Sequence, residues 1–258
     1  VVSAEMPASF ETEALKAQAV VARTYTLYKM INNAEKHKDV NANICDSSTC
    51  CQAWISKKDR LKKWNEKDRD MYWNKIVNAV NTTQGKIITY GGKPINAFFH
   101  ANSGGATEAP VNVWGGTGYP YLQTVTTSGE NAYSGYSSKV TVSKKDFESK
   151  IKEEHSNFKI NFNDKECIKI KEYTDGNRVK TIKIGNLELS GVEIRSIFSL
   201  RSANFKVTIQ DDSIIFEVVG YGHGVGMSQT GADSLAKEGK NYEEIIKHYY
   251  TGVKIEDM

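Results

Sequence analysis

The sequence has no run of about 18 consecutive apolar residues, so no segment reads as a membrane-spanning helix. It also lacks the charged, apolar and small-residue pattern of a secretory signal peptide. Net charge is small: 34 Lys and Arg against 31 Asp and Glu leave +3 over 258 residues. These charges are spread along the chain, and no basic stripe interleaved with aromatics marks a nucleic-acid surface. No internal repeat or low-complexity tract is present, which excludes a solenoid. A glycine-rich loop, Gly220 to Gly226, has neither a Gly-Lys-Ser/Thr ending nor G-x-G-x-x-G spacing, so nucleotide binding is not expected. No G-x-S-x-G elbow supports a Ser-His-Asp hydrolase. An initiator Met is missing too. The chain opens Val1-Val2-Ser3 with a candidate site residue, Glu5, almost at its end, and the expectation is a trimmed chain.

What is present is an ordinary globular composition, 39% hydrophobic and 25% charged. The length suits one large domain or two modest lobes. A helix is expected from about Phe10 to Met30, with Ser9 as N-cap and Glu11 and Glu13 near its positive end. It is apolar around so much of its circumference that it should be central. The pattern is lost from Asn32 to Ser56. A second helix is expected from Lys67 to Asn81, with Met71, Ile76 and Val80 inward. Residues 87–90 and 94–99 read as a hairpin turning at Gly91-Gly92, followed by a long polar loop over 100–118. Another polar stretch, 126–138, leads toward a helix over 144–155 and a hairpin, 167–173 with 178–184, turning at Asp175-Gly176-Asn177. A short helix over 191–198, strands over 205–210 and 214–219, and helices over 227–237 and 242–249 complete the chain. Helices and strands do not alternate strictly, so the class is α+β, mixed helices and antiparallel hairpins. The whole chain is expected to be a single catalytic domain. Its approximate lobes are 1–124 with 212–258, holding the active site, and 125–211, with a groove for the ligand.

The opening segment places one carboxylate, Glu5, beside Met6-Pro7 at the mouth of the first helix. Lys16 and Arg23 stand seven residues apart, nearly two turns, on one stripe of that helix. Carboxylate and cations together suit a site; equally they suit a solvated loop acid and two snorkelling side chains. His100 and Ser103 end the first hairpin, and Glu108 follows as a candidate second carboxylate. In the glycine loop, backbone amides can approach a ligand closely. His223, Ser228 and Gln229 beside it are suited to hydrogen-bonding hydroxyl groups. The alternative for both segments is structural: a histidine closing a strand, and a tight turn packed on the first helix.

Three motifs carry a resemblance. Residues 3–25, SAEMPASFETEALKAQAVVARTY, are similar to the opening signature of the stage II sporulation protein D family. Residues 99–108, FHANSGGATE, resemble a second signature, and residues 220–232, GYGHGVGMSQTGA, a third. They occur in the family's order and span essentially the whole chain. The resemblance implies a peptidoglycan lytic transglycosylase acting at engulfment during endospore formation. Some relatives instead modify the activity of a wall amidase, which is the alternative. In such an enzyme a single Glu protonates the glycosidic oxygen, then takes the proton of the sugar's own 6-hydroxyl, giving a 1,6-anhydro product. Glu5 is the expected acid and base, its pKa raised by Met6, Pro7 and Phe10. Lys16, Arg23, His100, Ser103, Glu108, His223, Ser228 and Gln229 are the expected substrate-binding residues. The resemblance further implies glycan strands stripped of peptide by a partner amidase, and a membrane protein of the engulfment machinery. It implies an extracytoplasmic site of action, with an N-terminal membrane anchor absent from this chain.

Cys45, Cys50 and Cys51 cluster, and His37 stands eight residues before them. Three thiols and one imidazole form a plausible closed tetrahedral zinc site, structural rather than catalytic. Disulfides and inert thiols are the alternatives. Residues 46–52, DSSTCCQ, resemble a family segment that often reads Asp-Thr-Thr-His-Cys-Gln, through which some members bind zinc with two Cys and two His. Here Cys50 stands where His is usual, so the expected ligands are His37, Cys45, Cys50 and Cys51, with His100 the alternative fourth. Cys167 reads as a core residue.

Overall fold

The computed structural model describes residues 1–32, 37 and 42–258. In chain order its elements are α1 (Val2–Glu5), α2 (Thr12–Asn32), α3 (Lys57–Lys63), α4 (Arg69–Thr82), β1 (Lys86–Tyr90), β2 (Lys93–Pro94), β3 (Phe99–His100) and α5 (Pro110–Trp114). They continue with β4 (Ser137–Ser143), α6 (Lys144–Glu154), β5 (Ile168–Tyr173), β6 (Val179–Ile184), β7 (Leu187–Ser190), α7 (Gly191–Ile197), β8 (Phe205–Ile209) and β9 (Ser213–Val219). The chain closes with β10 (Met227–Ser228), α8 (Gln229–Lys237), α9 (Tyr242–Tyr249) and β11 (Lys254–Asp257). The fold is α+β. Part of the irregular segment expected after the first long helix, residues 33–36 and 38–41, lies outside the described residues. The chain divides into two compact units: Val1–Phe99 with Gln229–Met258, and His100–Ser228.

In the first unit α2 is the central helix its apolar girth calls for. Ala14, Leu15, Ala17, Val20 and Val21 are buried on it, and it packs against α4, α8, α9 and β1. Small residues on α2 allow that close approach on several sides. The buried Thr24 hydroxyl accepts the Ile88 amide at 2.9 Å and so joins α2 to the middle of β1. The hairpin β1–β2 turns at Gly91 and Gly92, whose φ of 58° and 73° match a two-residue hairpin turn. A further strand, β11, pairs antiparallel with the other side of β1, Ile88 opposite Ile255. Its short, charged sequence carries no alternation strong enough to announce it. Met71 is a correction: it is 58% exposed, while Ile76 and Ala79 are buried. Five residues advance the helix to about 140° from Ile76, so Met71 falls on the outer face.

In the second unit two antiparallel sheets, β4-β9-β8 and β5-β6-β7, share a core with α6 and α7. Phe147 on α6 stacks on Phe198 at 5.0 Å, and Phe198 packs on Phe216 of β9, also at 5.0 Å. Cys167 lies in this core, 2% exposed. The expected hairpin forms, with Asn177 taking φ 59° at its turn. The strand β4, which begins at Ser137 inside the polar stretch 126–138, is not among the strands expected from the sequence. The alternating Val140 and Val142 pack toward the core while Lys139 and Thr141 point outward, a pattern diluted by serine and threonine. Capping chemistry sets several helix starts. Ser56, Ser143 and Ser190 each accept the amide three residues on, and Asn241 with Glu244 forms a capping box.

Candidate active site

Glu5 is the last residue of α1, a single turn, rather than part of an extended loop. Its carboxylate lines a groove of about 390 Å³ in the first unit, with Ser3, Ala4, Met6, Pro7, Ala8, Ser9, Arg60, Trp64 and Tyr72. It is the one carboxylate among them. Burial pushes the Glu5 pKa above its ordinary 4.5, opposed by a hydrogen bond that Oε1 accepts from the Ala53 amide at 2.5 Å. The apolar surroundings differ from those expected. Met6 is buried, but Pro7 is exposed and Phe10 is not part of the groove. The aromatic wall comes from Trp64, just after α3, and Tyr72 on α4, whose rings meet edge-on at 5.5 Å. Aromatic faces of this kind pack against the apolar faces of sugar rings. One cue to α3 was legible: Ser56 followed three residues later by Asp59 is a helix-start signature, and Arg60 and Trp64 then share a face at i, i+4.

Lys16 and Arg23 point elsewhere. The Lys16 ammonium pairs with Glu13 at 2.6 Å on the same helix. The Arg23 guanidinium donates to the carbonyl oxygens of Thr83, at 2.7 Å, and Lys86, at 2.8 Å, closing the junction between α4 and β1. Tyr25 is a packed helix residue, as expected, 6% exposed with its ring against Phe98 and Phe99. Its hydroxyl is held protonated, first by burial and then by the sulfurs of Cys51, Cys50 and Cys45 and the Glu5 carboxylate. Gln229 donates to Gln18 at 3.2 Å and is 7% exposed.

The His37, Cys45, Cys50 and Cys51 ligand atoms all lie within 4.8 Å of one another. The Ser47 carbonyl accepts the amides of both Cys50 and Cys51, a turn that brings two adjacent sulfurs to 3.8 Å. His37 Nε2 is 3.4 Å from Cys51 Sγ and 3.8 Å from Cys50 Sγ. A tetrahedral ion with bonds of about 2.3 Å to sulfur and about 2.0 Å to nitrogen has edges of roughly 3.5–3.8 Å. The cluster fits, and it can hold a metal ion; no disulfide joins these cysteines. His100 is not among the four. Two residues after Cys51, the Ala53 amide holds Glu5, and between them Gln52 is buried on α2, donating to Ala22 O and Thr26 Oγ1. The cysteine turn and the Ala53 amide that holds Glu5 are thus two residues apart along one docked segment of chain.

The other candidates belong to the second unit. The segment 100–108 and the glycine loop pair directly: Asn102 and Tyr221 exchange backbone bonds at 3.0 and 2.8 Å, and the Glu108 amide donates to Gly224 O at 2.8 Å. Two buried charges that the sequence reading missed organise this pairing. Glu130, 2% exposed, accepts from the Ser103 and Gly105 amides and from the hydroxyls of Ser103, Thr127 and Ser228. Those bonds outweigh burial and bring its pKa down to about 2. Arg178 donates to the carbonyls of Ser103, Ala106 and Gly176, and burial lowers its pKa to about 10. Gly224, at φ +86°, is required here, because a Cβ would lie 2.1 Å from Arg178 Nη2. Single charges far apart in sequence, without a motif, gave no cue.

Ser103 and Ser228 therefore sit at 0% exposure in the Glu130 network. Glu108 is 1% exposed and accepts from the Ala109 amide, Asn112 and Thr174. His100 is buried, its Nδ1 against Val225 O at 3.1 Å, and burial with neighbouring His223 keeps its pKa well below 6.5. His223 is half-buried, accepts the Val225 amide at 3.0 Å, and has its ring 5.1 Å from that of half-exposed Trp114. Of the second unit's five candidates, His223 is the one with an accessible face.

Known proteins resemble this chain along its length. The family described as "Stage II sporulation protein" matches residues 1–90. "Stage II sporulation protein D" of Bacillus subtilis (strain 168) is 36% identical over 258 residues, covering 100% of this chain and 72% of the relative. The protein of the same description from Bacillus amyloliquefaciens gives the same identity and coverage. The "Amidase enhancer" of Bacillus subtilis (strain 168) is 28% identical, with 99% of this chain aligned to 39% of that protein. The motif segments and a full-length match at this identity lead to one assignment: the chain belongs to the stage II sporulation protein D family.

Proposed function

We propose that this chain is a peptidoglycan lytic transglycosylase that cleaves the bond between muramic acid and glucosamine residues. The observation that carries the reading is Glu5, a lone carboxylate with a raised pKa in an aromatic-walled groove. Hydrolases of glycans generally need a second carboxylate to act on water or on the sugar. A lytic transglycosylase needs one. Glu5 Oε1 is held by the Ala53 amide, which leaves Oε2 to give its proton to the glycosidic oxygen as the C1–O bond breaks. The resulting carboxylate stabilises the positive charge at C1 and accepts the proton of the 6-hydroxyl as O6 closes on C1. No water is consumed, and Glu5 ends protonated. Within the second unit, His223 and Trp114 form a separate candidate surface for glycan, with a hydrogen-bonding face and an apolar face.

The metal is proposed to be zinc, whose preference for thiolate and imidazole matches the cluster. With four protein ligands no position is left for water, so its part is to fix the 45–53 segment that holds Glu5. The proposed setting is extracytoplasmic, anchored to the membrane by a preceding segment, in septal wall remodelling and engulfment. A wall amidase that strips the stem peptides and a membrane protein of the same machinery are the proposed partners.

The "Amidase enhancer" relative favours a second reading, a wall-binding modifier without chemistry. Mass spectrometry of peptide-free glycan after incubation decides between them. The expected products carry 1,6-anhydro ends, about 18 Da lighter than hydrolysed ends because an internal hydroxyl replaces water. They should vanish with Glu5→Gln. Intact glycan with the native protein would leave the modifier, and reducing ends alone would indicate a hydrolase.

A further inference from the structure

Among the residues that line the groove beside Glu5 one side chain is cationic, and it is neither Lys16 nor Arg23. Arg60 projects from α3 into the groove, and its guanidinium lies 5.7 Å from the centre of the Trp64 ring. Nε is buried yet makes no hydrogen bond among the described residues, and burial lowers its pKa. No carboxylate within the described residues pairs with it, and it is not among the groups that set the Glu5 pKa. A planar cation held over an aromatic ring, with donors unmet, is pre-organised for a carboxylate or phosphate.

We infer that Arg60 is a specificity-determining residue that binds a carboxylate of the substrate beside the scissile bond; this rests on the lytic reading of the same groove. The muramic ring whose C1 reacts carries a lactyl group on its C3. In a strand stripped of stem peptides that group ends in a free carboxylate. In a peptide-bearing strand it is an amide, neutral and followed by bulk. An arginine with no carboxylate partner among the described residues therefore favours the stripped strand through charge and through the fork of its donors. That it does not lower the Glu5 pKa matters equally. A cation in contact with Glu5 would hold that carboxylate ionised and remove the acid.

The test uses Glu5→Gln protein, so that ligands are bound and not cut, and three tetrasaccharides. These are N-acetylglucosamine alone, the alternating glucosamine–muramic glycan with free lactyl carboxylates, and the same glycan with those carboxylates converted to methyl amides. The free-carboxylate glycan should bind about tenfold more tightly than its amide, the effect of one charge-assisted pair. Adding Arg60→Gln should erase that ratio while leaving affinity for the N-acetylglucosamine oligomer within about twofold. Arg60→Lys should restore part of it. Arg60 has no side-chain hydrogen bond or ion pair among the described residues, and its one contact of this kind is with the Trp64 ring, so thermal melts of the variants should stay within a few degrees of the parent. A ratio that survives Arg60→Gln overturns the assignment and leaves the lytic reaction standing. Failure of every glycan to bind, with no anhydro product from native protein, overturns both.

Discussion

Glu130→Gln is the perturbation whose size follows most directly from the structure. The carboxylate is nearly isosteric with the amide but accepts five hydrogen bonds and donates none. Oε1 takes the Ser103 amide at 2.9 Å and Oε2 the Gly105 amide at 3.0 Å. Whichever way a glutamine is turned, its NH₂ faces one of those backbone N–H groups, and hydroxyl rotation cannot relieve that. The magnitude comes from linkage. A fall in pKa from 4.5 to about 2 corresponds to about 3 kcal/mol of folded-state preference for the ionised form. The folded pKa lies below the unfolded one. The contribution is therefore complete above pH 4.5 and is lost as pH falls toward 2. Denaturant unfolding at pH 7 should show the variant about 3 kcal/mol less stable, and the gap should close between pH 5 and pH 2. Amide exchange at Ser103 and Gly105 should accelerate by a similar factor, which locates the loss in the second unit. A loss under about 1 kcal/mol, or a gap that stays constant with pH, would refute the reasoning.

Glycan cleavage should weaken as pH rises, because Glu5 must be protonated to act and its raised pKa sets the falling limb. A pH–rate profile whose descending limb lies at or below the ordinary carboxylate range would contradict this. Chelation should lower the melting temperature of the protein as purified, and zinc should restore it, because a bound ion would join the cysteines of the 45–53 segment to one another and to His37; protein that melts identically with and without chelator, and contains no zinc, removes the site. Arg23→Ala leaves the Thr83 and Lys86 carbonyls without their charged donor, and should cost about 1–3 kcal/mol of stability with little change in KM; a folded variant with unchanged stability and a large rise in KM would instead put Arg23 on the substrate.

How much could be read from the residues in order varied with the range of the interactions involved. The central helix, the Gly91-Gly92 hairpin, the hairpin at Asp175-Gly176-Asn177 and the helix over 242–249 were legible. Each rests on a local period, a cap or a left-handed turn position. The strand β11 was not, because its pairing with β1 lies more than 160 residues away and its own sequence is short and charged. Met71 was misplaced by a pattern that allowed two helical phases, and the packing of α4 on α2 chose between them.

The α+β class, the family and the composition of the cysteine–histidine cluster can be read from the residues in order, since all of these are carried by short stretches of chain. Tertiary structure alone decided the rest. Position along a helix shows that Lys16 and Arg23 share a stripe, but not that nearby acceptors already occupy them. The His100 and glycine-loop motifs announce themselves, but not that Glu130 and Arg178, distant charges in unmarked segments, hold them together. Neither does any local pattern show that Arg60, Trp64 and Tyr72 line the same groove as Glu5. Burial and partner choice are properties of residues brought together by folding, and so are the pKa values and the unmet donors from which the chemistry of the groove is argued.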